Sequence, residues 1–294
     1  MRRKHPQFGS TLILLSPWLL AFALFWAYPL VYAFILSFTK YRTLNNEWIW
    51  IGLANYTKLL HDPLFWQAML NTSIFVIGTI PFTMGFALLF AVMLSQVDRF
   101  KDLYRSSLFL PSITSIIVIA LIYTNLYSPG GYINTLLKMV GISPPKRGWL
   151  LEPGWALPAV MAMDIWISIG YYAVLFLAAI ENVPKDYYEV ADLEGTSKWQ
   201  QFISITLPVI KPTLLFAIVL NTIRSFQIFN EIYVMTRGGP LNRTQTLVYA
   251  VYENAFEKAD SMGYACAIAY VLFFIIAIFS AAEIRFLRAE PKRT

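Results

Sequence analysis

Tyr187–Pro208 reads YYEVADLEGTSKWQQFISITLP, a polar island between long apolar runs. Pro184 suits the first turn of a helix, where its missing N–H costs nothing, and Asn182 stands before it as a candidate cap. A short helix is expected from there to about Leu193. Gly195 can take the left-handed conformation that ends helices, and Thr196 or Ser197 can cap a second helix starting near Lys198. Trp199, Phe202 and Ile203 then fall at i, i+3 and i+4, giving that helix one apolar face, which needs a partner surface.

Outward from the island, composition sets the environment. Of 294 residues, 57% are hydrophobic and only 14% charged, against roughly 25% charged in soluble domains. Repeated windows of about 20 apolar residues mark a polytopic, all-α integral membrane protein, and the alternating ten-residue segments of a membrane barrel are missing. Expected spans cover about 11–38, 68–95, 106–127, 157–180, 209–235 and 264–286, as one membrane domain of residues 1–294. Pro17 and Pro29 bend the first and Pro111 interrupts the third, while a short helix is expected near 133–140. The net charge of +6 gathers near predicted membrane ends, including Arg2, Arg3, Lys4, Arg285, Arg288, Lys292 and Arg293. It orients the chain and does not point to nucleic acid. Lysine and arginine are denser in the short segments, which puts both termini and the island, 184–208, on the cytoplasmic side. A lone Cys266 and the distant His5 and His61 offer no metal ligand set and no disulfide.

Within the island, Glu189, Ala191, Gly195, Ile205, Leu207 and Pro208 keep the spacing of the EAA loop, with Val190 where the motif has its second alanine and Glu194 where aspartate is usual. Asn71-Thr72, Leu110-Pro111, Phe226-Gln227 with Phe229, and Gly238-Gly239-Pro240 agree with it. The chain resembles permease subunits of binding-protein-dependent ATP-binding-cassette importers, carbohydrate (maltose and multiple-sugar) branch. The resemblance implies the type I importer permease fold with six spans, a bacterial or archaeal cytoplasmic membrane, and a coupling helix pair seated on a separate ATPase. It also implies a second permease subunit, two ATPase copies, and an extracytoplasmic binding protein received at Gly238, Gly239 and Pro240. The chain has no catalytic residues and binds no cofactor in this scheme. No G-x-x-x-x-G-K-[ST] loop is present, so ATP and Mg belong to the partner ATPase. The bare chemistry of the island also fits an amphipathic hairpin lying on lipid headgroups, which Glu189, Asp192 and Glu194 oppose.

In the fifth expected span Asn221, Arg224, Gln227 and Glu231 fall within roughly 120° of one another on a continuous helix. An intramembrane arginine costs roughly 2.5–3.5 kcal/mol on insertion scales, so it should face a cavity or a partner. That face, with Phe229 and Tyr233, is the expected solute pathway, and Asp164 in the fourth span is a further candidate, with Trp166, Tyr171 and Tyr172 nearby. Its competitor is a purely structural pairing of Arg224 with Glu231. Fixed polar groups beside aromatic faces suit a hydroxyl-rich solute such as an oligosaccharide, while the guanidinium also suits a phosphorylated polyol or phosphodiester. A secondary transporter should show inverted repeats, and a membrane enzyme clustered histidines or paired acids. Neither is evident.

Overall fold

The computed structural model describes residues 8–42 and 47–288. Arg2, Arg3, Lys4, His5, Lys292 and Arg293 lie outside them. The described chain is dominated by helices and forms two compact units, one of residues up to 62 with 251–271, the other of 63–250 with 272 onward. Five helices are long and apolar enough to cross a membrane, or six if one sharply bent pair counts as a span.

In the first unit, α1 (Phe8–Phe22) passes through a π-helical turn, Ala23–Ala27, into α2 (Tyr28–Ser37). The bend expected at Pro29 takes this form: the ring cannot sit against the carbonyl four residues back, and the wider turn, closed by Tyr28 N–H on Ala23 O, gives it room. A hairpin absent from the sequence reading follows. Strands β1 (Thr39–Arg42) and β2 (Glu47–Trp50) pair antiparallel with Thr39 opposite Trp50 and Tyr41 opposite Trp48, a run of β-branched and aromatic residues that favours strand. Next, α3 (Ala54–His61) sends Asn55 back to the carbonyls of Ser37 and Thr39 at 2.9 and 3.0 Å, which fixes the chain's exit from α2. Gly263 packs so tightly there that a Cβ would meet Thr39 O at 2.0 Å.

The second unit is built on α4 (Pro63–Ser95) and α8 (Ala156–Glu181), the most extensively packed helix pair. Small residues on both, Ala87, Ala91 and Ala173, are fully buried beside Phe176, which lets the backbones approach as they do when lipid offers no hydrophobic drive. The expected third span is not one rod. It is α5 (Lys101–Ile113) and α6 (Ile116–Leu126), bent by 91° between Ile113 and Ile116. Thr114 and Ser115 are extended there, and Ser112 Oγ donates to Ile167 O at 2.8 Å, tying the corner to α8. A Cβ on Gly170 would lie 1.8 Å from Leu108 O, so only glycine lets α5 lie on α8. Helix α7 (Tyr132–Met139) occupies the loop beyond.

Helices α9 (Lys185–Leu193) and α10 (Lys198–Gln201) make up the island. The expected fifth span is also broken. After a second π-helical turn, Phe202–Thr206, α11 (Leu207–Phe226) ends, Gln227–Phe229 is not helical, and α12 (Asn230–Met235) restarts. Helix α13 (Leu247–Tyr252) and a third π turn, Glu253–Glu257, lead to α14 (Met262–Arg288).

Candidate solute cavity and coupling island

Asp164 and Ser168 lie one turn apart on α8 and face the last turn of α11. There Arg224 donates to Asp164 Oδ1 at 2.8 Å and to Ser168 Oγ. The break after Phe226 decides the third member. On an unbroken helix Glu231 would sit two turns, about 10 Å, beyond Arg224; restarting as α12 brings Glu231 Oε1 to 3.7 Å from the guanidinium. The cation stands at a helix C-terminus and Glu231 in a helix first turn, where each is favoured by the peptide dipoles. Asp164 and Glu231 are 5% and 7% exposed, but Arg224 is 42% exposed. The arginine is therefore held by buried acids and presented to open space. That space is a cavity of about 550 Å³ bounded by Ser112, Ser168, Tyr171, Tyr172, Arg224 and Glu231 among others.

The expected pathway residues are thus divided. Arg224, Asp164 and Glu231 come together. Asn221 does not join them: it is 1% exposed, with neither amide atom hydrogen-bonded. Gln227 is exposed but outside the cavity wall, and Phe229 stacks on Tyr233 at 5.4 Å and on Tyr249 at 6.4 Å. The reason is the helix break, which ends the periodicity on which the single polar face depended. Ser168 escaped the sequence reading, although its place four residues after an intramembrane acid was a usable signal. Asn230 and Ser112 carried none, since their positions depend on the two breaks.

The island closes differently from expectation at its start. Asn182 donates to Ala178 O at 2.7 Å, finishing α8, and Pro184 itself is the N-cap of α9. At the other end Gly195 has φ +70°. Gly195 N–H reaches Asp192 O and Thr196 N–H reaches Ala191 O, both at 3.1 Å, the paired bonds of a Schellman stop. Ser197 and Gln200 cap α10 reciprocally. Lys198 and Gln201 bind Asp192 Oδ1 at 2.9 and 2.6 Å and hold its carboxyl below the ordinary carboxylate range. Tyr188 Oη meets Thr206 Oγ1 at 2.7 Å, so α9 is pinned to the start of α11. Ala191, Ile205 and Pro208 line a shallow groove of about 400 Å³ with Tyr187 and Val190; Glu189 is exposed and Leu207 half-buried. Leu193 and Trp199 stand 89% and 68% exposed, an apolar edge on which only Phe202 stacks against the Trp199 ring, at 5.6 Å.

Gly238 is buried, with φ +79° and a would-be Cβ 3.0 Å from the Tyr249 ring. Gly239 and Pro240 are half-buried. Asn71 braces this turn by donating to Asn242 O at 2.9 Å and Gln245 O at 2.8 Å, and Thr72 Oγ1 accepts from Leu247 N–H. What the turn exposes is Leu241–Arg243, so Gly238 and Pro240 shape the surface more than they form it. Among the described residues no group of three metal-ligating side chains exists.

The binding-protein-dependent transport system inner membrane component family matches residues 10–284. The chain belongs to this family. The permease is 32% identical to the lactose transport system permease protein LacF of Rhizobium radiobacter over 271 residues, covering 91% of this chain and 90% of the relative. It is 35% identical to the arabinooligosaccharides transport system permease protein AraP of Halalkalibacterium halodurans over 276 residues, covering 92% and 85%. Its fold matches that of a chain from a bacterial ABC transporter involved in the import of the acidic polysaccharide alginate, with a TM-score of 0.84 at 22% identity over 97% of this chain and 96% of that one. The permease therefore has the type I importer fold and is a transport component of the cell membrane, not an enzyme.

Proposed function

We propose that this permease carries an uncharged, hydroxyl-rich solute, an oligosaccharide delivered by an extracytoplasmic binding protein, through the cavity beside Arg224. The single observation that carries this reading is the Asp164–Arg224–Glu231 cluster, whose cation is held between two buried acids and still exposed to a cavity of about 550 Å³. A guanidinium already paired with acids offers hydrogen bonds without a net positive field, which suits sugar hydroxyls, and the half-exposed Tyr171 supplies a ring face. The relatives named for lactose and arabinooligosaccharides support the same class. A phosphorylated polyol or phosphodiester loses its main support, because the positive charge that would attract it is already spent on Asp164.

The island would seat on a cytoplasmic ATPase through Leu193, Trp199 and the groove beside Ala191, with Glu189, Gly195, Ile205, Leu207 and Pro208 setting its shape. Both termini would then lie in the cytoplasm, and ATP and Mg would belong to two copies of the partner. A second, different permease chain would close the other side of the pathway, and the turn at Gly238, Gly239 and Pro240 would present Leu241–Arg243 to the binding protein. The test is uptake of labelled saccharides by cells carrying Arg224→Ala. Uptake should fall at least tenfold while the permease remains in the membrane. Undiminished uptake, with saccharide-stimulated ATP hydrolysis intact, would remove Arg224 from the pathway.

A further inference from the structure

Helix α7 is short and amphipathic, and only half of its apolar side is covered by the rest of the chain. At about 100° per residue, Tyr132, Leu136 and Met139 fall together, with Ile133 and Leu137 beside them, while Thr135 and Lys138 take the polar side. Ile133 and Leu137 are half-buried, but Tyr132, Leu136 and Met139 are 78%, 63% and 76% exposed. The buried Asn134 fixes the level at which this face sits. Its amide donates to Ser128 O at 2.9 Å and Pro129 O at 3.2 Å and accepts from Trp149 Nε1 at 2.7 Å. The Trp149 ring in turn packs on Tyr127 and Trp155, with centroids at 6.1 and 5.2 Å. Tyr127 Oη donates to Ala159 O, in the first turn of α8, at 2.9 Å. This tyrosine and these tryptophans therefore gather at the end of a helix long and apolar enough to span a membrane, the level at which such rings settle between lipid and water. Asn134 holds α7 at that level. The charges fit it as well, because residues 132–149 carry Lys138, Lys146 and Arg147, all exposed, and no acid.

We infer that α7 lies in the lipid–water boundary at the start of α8, with Tyr132, Leu136 and Met139 among the upper acyl carbons and Lys138 at the level of the phosphates. The partner of this face is membrane lipid, not a second protein: an apolar side continuous with a ring of tyrosine and tryptophan, and a polar side with cations alone, is the pattern of a helix lying in the interfacial layer. The seat has a mechanical consequence. Asn134 binds the carbonyls just after α6, so lipid restrains that end of α6, while the opposite end, at Thr114 and Ile116, borders the cavity beside Arg224.

The test uses the permease in its native assembly, in nanodiscs of phosphatidylglycerol and phosphatidylcholine. One spin label at a time is attached at Leu136→Cys, Met139→Cys or, as the polar control, Lys138→Cys, each in a Cys266→Ala background. Power saturation then reads how often each label collides with oxygen, which concentrates in lipid, and with a water-soluble nickel chelate. The expected result is a several-fold excess of oxygen over nickel collisions at 136 and 139, at a depth of about 5–10 Å into the boundary layer, with the ratio reversed at 138. Labels at 136 and 139 that meet nickel as freely as the one at 138 would put this face in water. Labels there screened from both reagents would put a protein on it. Either outcome overturns the inference.

Discussion

Arg224 and Asp164 form one bond but do not share its risk equally. Asp164 is buried and, among the described residues, pairs with no other cation, whereas Arg224 keeps Glu231 at 3.7 Å and an open face. Removing the arginine leaves two buried carboxylates uncompensated, a loss of about 3–5 kcal/mol by the usual cost of breaking a buried pair; removing the acid's charge should cost about 1–2 kcal/mol. Thermal melting of the detergent-solubilised permease should therefore place Arg224→Ala well below Asp164→Asn. The double variant should be less damaged than the sum, as expected of partners in contact. Equal losses would mean that Asp164 is compensated elsewhere. All three charges were legible in the sequence, because an ionisable side chain in an apolar run stands out in any reading. Their mutual geometry was not, since it is made by a chain break that hydropathy does not register.

Elements show the same division. Long apolar runs announced α4, α8 and α14, and Gly195 with Ser197 announced the helix, turn and helix of the island. The right-angle corner at Thr114–Ser115 was hidden, because the apolar content continues through it and only Pro111 hinted at trouble. The hairpin Thr39–Trp50 was hidden for a different reason: tryptophan and tyrosine beside an apolar span suit a lipid–water boundary as well as they suit a strand. Gly170 is the residue on which the corner depends. Enlarging it to leucine must push α5 away from the Leu108 carbonyl, with an overpacking cost of about 1–3 kcal/mol. The expected result is lower thermal stability and a raised rate of proteolysis in residues 101–116. A permease unchanged in both would show that α5 does not lie against α8.

On the proposed function the island and the cavity would communicate through one piece of chain, and the path is short: α10, a π turn and α11 run without interruption from Lys198 to Phe226. Gly195 stands at its near end with nothing of this chain within 4 Å of its missing Cβ. Gly195→Trp should cost the permease itself only the left-handed backbone penalty, about 1–2 kcal/mol, while filling the space a docked ATPase would need. Melting of the isolated permease should change little, and co-purification of the ATPase should collapse. Retained co-purification with full transport would separate the island from docking. The π turn at Phe202–Thr206 fixes something else. On a plain α-helix Trp199 and Arg224 would point within roughly 20° of each other, since 25 steps of about 100° nearly complete seven circles. The extra residue taken up by the wide turn shifts that phase by about 100°, leaving them roughly 120° apart. Like the keyway on a camshaft, it would set the angle at which a push on the island arrives at the guanidinium under the proposed coupling, so changes of residue in this segment should be tolerated far better than changes in their number.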